Sequence, residues 1–88
     1  MKPLFIPLKT EYFNAFADGS KRTEYRRYGP RWHEGTVVPG RPATLSKGYS
    51  GDRINGVVVR MRKIRNTITD LYPRGCWLCA IDITDISE

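Results

Sequence analysis

The chain predicts a mainly β domain of the α+β class: about five short strands in a small, partly closed barrel, with one or two short helices packed on it. Three observations carry this. Within Asn55 to Ile64, Val57, Val59 and Met61 alternate with Val58, Arg60 and Arg62, and within Cys76 to Ile83 the residues Trp77, Cys79, Ile81 and Ile83 share one face. Only one segment, around Tyr12, Phe13, Phe16 and Ala17, has apolar residues at helical spacing. Eight glycines and six prolines among 88 residues require many turns. A chain this short forms one domain, residues 1–88, because two cores would each be marginal.

Taken in order, Leu4 to Leu8 reads as a brief apolar strand. Its Pro7 has no N–H for a ladder, which places it at a sheet edge. Thr10 is the expected N-cap of the helix that follows, with Glu11 near the positive end of its dipole. Tyr12, Phe13, Phe16 and Ala17 form its core face, and Gly19 suits a left-handed stop. Thr23 to Tyr28 is the second strand, followed by a polar loop through Gly29-Pro30-Arg31-Trp32-His33-Glu34-Gly35. Ala43 to Ser46 is a third strand, and Lys47 to Arg53 a glycine-rich loop or bulge. Asn55 to Ile64 is the clearest strand. A turn or short helix over Asn66 to Pro73 then leads to the last one, Cys76 to Ile83. The pattern predicts a mostly antiparallel, strongly bent sheet closing around Val57, Val59, Ile81 and Ile83.

Fifteen Lys and Arg against nine Asp and Glu give a net charge of +6, and ten of the fifteen are arginines. Arginine forks onto phosphates and stacks on bases, so RNA or a nucleotide is the expected partner class. A basic adaptor that docks on an acidic protein would carry the same charge. Lys21, Arg22, Arg26, Arg27 and Arg31 crowd one segment, and Arg53, Arg60, Arg62, Lys63 and Arg65 another. Asp70, Asp82, Asp85 and Glu88 gather late in the chain, which predicts one basic face and one acidic edge. No stretch approaches the roughly twenty apolar residues of a membrane span, and no targeting signal is visible at the start. No membrane association and a cytoplasmic location are the expectations.

Cys76 and Cys79 form a C-x-x-C string that runs into a strand rather than opening a helix, so a redox motif is not expected. With His33 the single histidine, a zinc site made by protein ligands alone is not expected either. Both cysteines read as reduced, buried, structural residues, with no metal and no cofactor.

The segment Gly19-Ser20-Lys21-Arg22-Thr23-Glu24-Tyr25-Arg26-Arg27 is the most informative for chemistry. Strand alternation sends Glu24, Arg26 and Tyr28 to one face and Tyr25 and Arg27 to the other. Lys21, at the turn into the strand, reaches the Glu24 face. A lysine, a carboxylate and a guanidinium can therefore converge at one sheet edge. They form either a solvated ion-pair network or a polar pocket for a base, a phosphate or an amide.

This order of elements, with Gly19, Lys21, Glu24 and Arg26 in a Gly-x-Lys-x-x-Glu-x-Arg string, resembles the ASCH family. The likeness continues through Ala43 to Leu45, Gly48-Tyr49-Ser50-Gly51 and Val57 to Ile64, and spans about Leu4 to Ile83. It implies a PUA-like β-barrel that binds RNA or nucleotides in the cleft beside the string. One branch of the family looks like amidohydrolases that remove acetyl from acetylated cytidine. That branch uses a threonine where this chain has Glu24, together with a lysine at the position of Lys21. Without that hydroxyl the resemblance does not extend to covalent amide cleavage, and Glu24 is left as a general base toward water.

The leading expectation is a binding domain in which Lys21, Arg26 and Arg53 meet phosphates, Glu24 reads a base edge, and Tyr49 stacks. The alternative is a small amidohydrolase acting on a modified nucleoside, with Lys21 and Glu24 as the catalytic pair. In either case Lys21 and Arg26 are expected to be exposed charges that contribute little to folding.

Overall fold

The computed structural model describes residues 1–87, so Glu88 and its share of the acidic edge lie outside the described residues. The order is β1 (Leu4–Leu8), α1 (Thr10–Asp18), β2 (Thr23–Arg27), β3 (Pro42–Lys47), β4 (Arg53–Arg65) and β5 (Trp77–Ser87). One five-stranded sheet, β1-β3-β4-β5-β2, curls into a half-barrel. Three of its neighbouring pairs are antiparallel, and β1 runs parallel to β3. The predicted mainly β, barrel-like class is therefore the observed one. The optional second helix is not formed, and the Asn66 to Pro73 stretch is a chain of turns and bends. No helix among the described residues is long and apolar enough to cross a membrane.

The crossover from β1 carries α1, whose Phe13 and Phe16 are buried against the inner face of the sheet. Lys9, one residue before Thr10, occupies the N-cap with extended backbone and makes no side-chain cap. The Lys9 carbonyl instead accepts from Tyr12 and Phe13 N–H at 3.0 and 2.9 Å. Ala17 is exposed, because the sheet touches only a narrow stripe of this short helix. Gly19 ends it at φ 86°, a left-handed conformation that costs glycine no Cβ clash, and donates to the Phe16 carbonyl. The core joins Leu4, Ile6 and Leu8 of β1 to Ala43 and Leu45 of β3, Ile54 and Val58 of β4, and Cys79, Ile81 and Ile83 of β5. Val37, from the loop that closes over the inner face, completes it.

In β4 the predicted inward set is out of phase. Ile54 and Val58 are buried, whereas Val57 is half-buried and Val59 is 48% exposed. The register explains this. Val58 pairs with Ile83 but Arg60 pairs with Asp82, so Val59 is an extra residue that inverts the alternation beyond it. Met61, not Val59, then returns toward the core. A second irregularity lies between Asn55 and Val57, opposite Asp85 of β5, whose φ is 56°. There a Cβ on Gly56 would sit 2.6 Å from a methyl of Ile83, so only glycine allows the two strands to approach this closely.

Leu78 and Ala80 are also buried, although they face away from the core. In β5 both faces are covered, which is why its apolar run is nearly continuous. At the end of this hairpin Asn66 is 1% exposed and organises the β4–β5 loop. Its side-chain amide donates to the carbonyls of Thr69, Tyr72 and Pro73 at 3.0, 2.8 and 3.1 Å. Its Oδ1 accepts from Thr69 N–H at 3.2 Å. One asparagine thus substitutes for the ladder that a loop lacks.

The predicted acidic edge does not stand apart from the basic strand. Asp82 sits across from Arg60 on the outer face and accepts from Arg60 Nε at 2.6 Å, Arg62 Nη2 at 3.0 Å and Thr23 Oγ1 at 2.7 Å. Burial pushes the Asp82 carboxyl up, but these three donors outweigh it and hold the group below its ordinary value of 3.8.

Candidate functional site at the sheet seam

The curled sheet ends in two edge strands, β1 and β2, which do not pair with each other. Arg26 bridges the gap. Its Nη2 donates to the carbonyl of Pro7 on β1, while Nε and Nη2 contact Glu24 Oε2 at 3.0 and 2.9 Å. The guanidinium also stacks on Trp32, 4.9 Å from the ring centroid. Proline's carbonyl remains an acceptor although its nitrogen cannot donate. Side-chain exposures of 17% for Arg26 and 9% for Glu24 show that this is not a solvated surface pair, contrary to expectation.

Lys21 joins the pair from the turn behind α1. The left-handed Gly19 reverses the chain, and Lys21 N–H donates to the Ala15 carbonyl at 3.1 Å. The ammonium then lies 3.5 Å from Glu24 Oε1. It is boxed by the rings of Tyr12, Phe16 and Tyr25 at 5.0, 5.6 and 5.6 Å, within cation–π range. Lys21, Glu24 and Arg26 therefore converge as their spacing predicts.

Above them opens a cleft of about 420 Å³. Tyr12 of α1 and Tyr25 of β2 form its sides, Pro7 to Lys9 one rim, and Leu71 and Tyr72 of the Asn66-organised loop the other. Tyr72 donates from its hydroxyl to the Tyr25 carbonyl at 3.5 Å, and burial, the largest influence, raises its pKa. It stays a neutral phenol near pH 7. At the floor, Glu24 Oε2 is contacted by two nitrogens of the Arg26 guanidinium, whereas among the described residues Oε1 has only the longer contact to Lys21. The cleft is thus offered one carboxylate oxygen that is ion-paired but less tightly held than its neighbour, beside one ammonium, between aromatic walls.

Tyr49 and Arg53 are not part of it. Tyr49 is 76% exposed and pairs with Phe5 at 6.4 Å between centroids. Arg53 lies over the same Phe5 ring at 5.2 Å and donates to the Tyr49 carbonyl at 3.4 Å. This second patch is on the outer face, because Leu4, Ile6 and Leu8 take the inner one and Phe5 alternates away from them. Lys9, Leu71 and Tyr72 were not legible as site residues. They reach the cleft only through the seam and the long loop, and no local spacing signals either. Tyr12 and Tyr25 did carry a signal, an aromatic on each side of Lys21, but it is the same as that of a helix core face and a strand face.

Cys79 is fully buried, and desolvation pushes its thiol up to about 11, so it is protonated near neutral pH. Cys76 precedes β5, is half-buried, and is not bonded to Cys79. Among the described residues, no three His, Cys, Asp or Glu side chains are gathered as metal ligands. Compared with known proteins, the chain matches no protein-family model and no curated protein.

Proposed function

We propose that the seam cleft binds one nucleotide unit of RNA or a nucleotide-like ligand, as an ASCH-like domain with a PUA-like barrel would. The observation that carries this is the loose pairing at the cleft floor of one carboxylate oxygen, Glu24 Oε1, with the Lys21 ammonium at 3.5 Å, between Tyr12, Tyr25 and Tyr72. The Watson–Crick edge of cytosine or adenine offers an exocyclic amine beside a ring nitrogen, which matches one acceptor beside one cation. The tyrosines supply ring faces for stacking. Arg26 acts as the positioning residue, because its Nε and Nη2 are engaged by Glu24 and Pro7. Lys9 at the rim is the cation available to a phosphate there.

The test is a titration of labelled mononucleotides and a three-nucleotide cytidine-containing RNA against parent, Lys21→Ala and Glu24→Gln. Removing the charge-assisted hydrogen bond from Lys21 should weaken binding about ten-fold. Glu24→Gln should change base preference with binding retained. Unchanged affinity in both variants refutes the reading. A second reading, a small amidohydrolase, is favoured by the 3.5 Å approach of Lys21 to Glu24 in an open cleft. Its signature is release of acetate from acetylated cytidine by the parent and none by Glu24→Gln, with the nucleoside still bound.

A further inference from the structure

Register places the inner-face side chains of β2, β5 and β4 in rows. Residues directly opposite in antiparallel pairs share a face. Glu24, Ile81 and Met61 form one row, and Arg26, Cys79 and Lys63 the next. The third extends beyond the buried core. Tyr28 N–H donates to the Trp77 carbonyl at 3.0 Å, and Trp77 pairs with Arg65. This end of the sheet is aromatic and cationic. Lys63 Nζ stands 4.2 Å from the Tyr28 centroid and 5.0 Å from that of Trp77, and Arg65 lies 4.2 Å from Trp77. Trp77 nevertheless remains 41% exposed, although a large aromatic is ordinarily hidden from water. Among the described residues, the acid that touches this row is Glu34, whose carboxylate accepts from the Tyr28 hydroxyl.

We infer that the Tyr28–Trp77–Arg65 row, with Lys63 beside it, is a second contact surface for single-stranded nucleic acid, so that the ligand is a strand of several nucleotides. The inference rests on the nucleotide-binding reading of the cleft for the position of the first nucleotide. Tyr28 directly follows β2 and lies four residues beyond Glu24, about 13 Å at the rise of an extended chain. That is roughly four stacked-base steps of 3.4 Å, more than a stacked three-mer spans from the cleft. A base stacks on the exposed part of Trp77, while Lys63 and Arg65 meet the flanking phosphates. Alternating ring faces and cations is the arrangement that sequence-tolerant single-strand binding requires. An acidic protein surface would need the cations but not the indole.

The experiment compares cytidine oligonucleotides of three and ten residues by fluorescence anisotropy across a salt series. The proteins are the parent, the cleft variant Lys21→Ala, Trp77→Ala, and Lys63→Ala/Arg65→Ala, each checked for an unchanged melting temperature. In the parent the ten-mer should bind more tightly than the three-mer. Trp77→Ala should remove about ten-fold of ten-mer affinity and leave the three-mer untouched. The double variant should lower the slope of log K against log salt by about 1.4, at about 0.7 for each phosphate no longer neutralised. Equal affinity for both lengths, or a ten-mer unaffected by Trp77→Ala, overturns the inference while leaving the cleft reading intact. Loss of three-mer binding only in cleft variants supports both readings. A ten-mer that responds to Trp77→Ala but not to Lys21→Ala removes the cleft reading and keeps this surface. Polyglutamate that displaces the ten-mer from parent and Trp77→Ala equally well overturns it in favour of an acidic protein partner.

Discussion

Arg26→Met removes the side chain that spans the sheet seam, and its cost can be worked out from its hydrogen bonds. The substitution keeps an apolar stem beside Trp32 but deletes the donors to Glu24 Oε2 at 3.0 and 2.9 Å and to the Pro7 carbonyl. Glu24 is then left 7% exposed with Lys21 at 3.5 Å as its remaining cation. Removing one partner of a buried ion pair costs about 3–5 kcal/mol when nothing else compensates. Lys21 persists here and the cleft admits water on one side, so about 2–3 kcal/mol is expected. For a domain of this size that lowers the melting temperature by roughly 10–20 °C. Urea unfolding followed by tryptophan fluorescence measures it, with calorimetry as a second probe. Glu24→Gln in the same background removes the orphaned charge, so the double variant should be more stable than the sum of the single effects by about 1 kcal/mol or more. Arg26→Met within about 0.5 kcal/mol of the parent, with no coupling to Glu24, would refute the reasoning. Arg26 would then belong to an ordinary solvated ion pair.

Three further outcomes follow from the packing and the electrostatics. Val58→Ala should cost about 2 kcal/mol and Val59→Ala no more than about 0.5, because the bulge buries the first and exposes the second; urea midpoints compare them directly. A thiol reagent at about pH 8 should modify Cys76 in the folded protein and reach Cys79 only on unfolding, since burial holds the latter thiol at about 11. Asp82 has a folded pKa below its unfolded value, so it contributes stability above the unfolded value that is lost as pH falls through the folded one. Asp82→Asn should therefore be less stable than the parent at neutral pH and should lose less stability between about pH 5 and pH 2, read by thermal melts across that range.

The elements and the convergence of the motif were legible from local chemistry. Leu4 to Leu8 is a strand at an edge because Pro7 cannot donate, α1 ends where Gly19 can turn left-handed, and Lys21, Glu24 and Arg26 meet because a turn and a two-residue period put them on one face. These are properties of a few consecutive residues, which a sequence states directly. The phase of β4 is not such a property. Whether Val58 or Val59 points inward depends on one extra residue opposite β5, and a period-two pattern is equally consistent with both phases. The cleft belongs to the same class. Curvature brings Pro7 within reach of Arg26, nineteen positions later, and a loop held by Asn66 delivers Leu71 and Tyr72 to Tyr25, more than forty residues earlier. The same curvature leaves Tyr49 and Arg53 on the outer face with Phe5. Which residues share a site is decided by which strands become the two free edges, and that is a long-range choice made by the packing of the whole sheet.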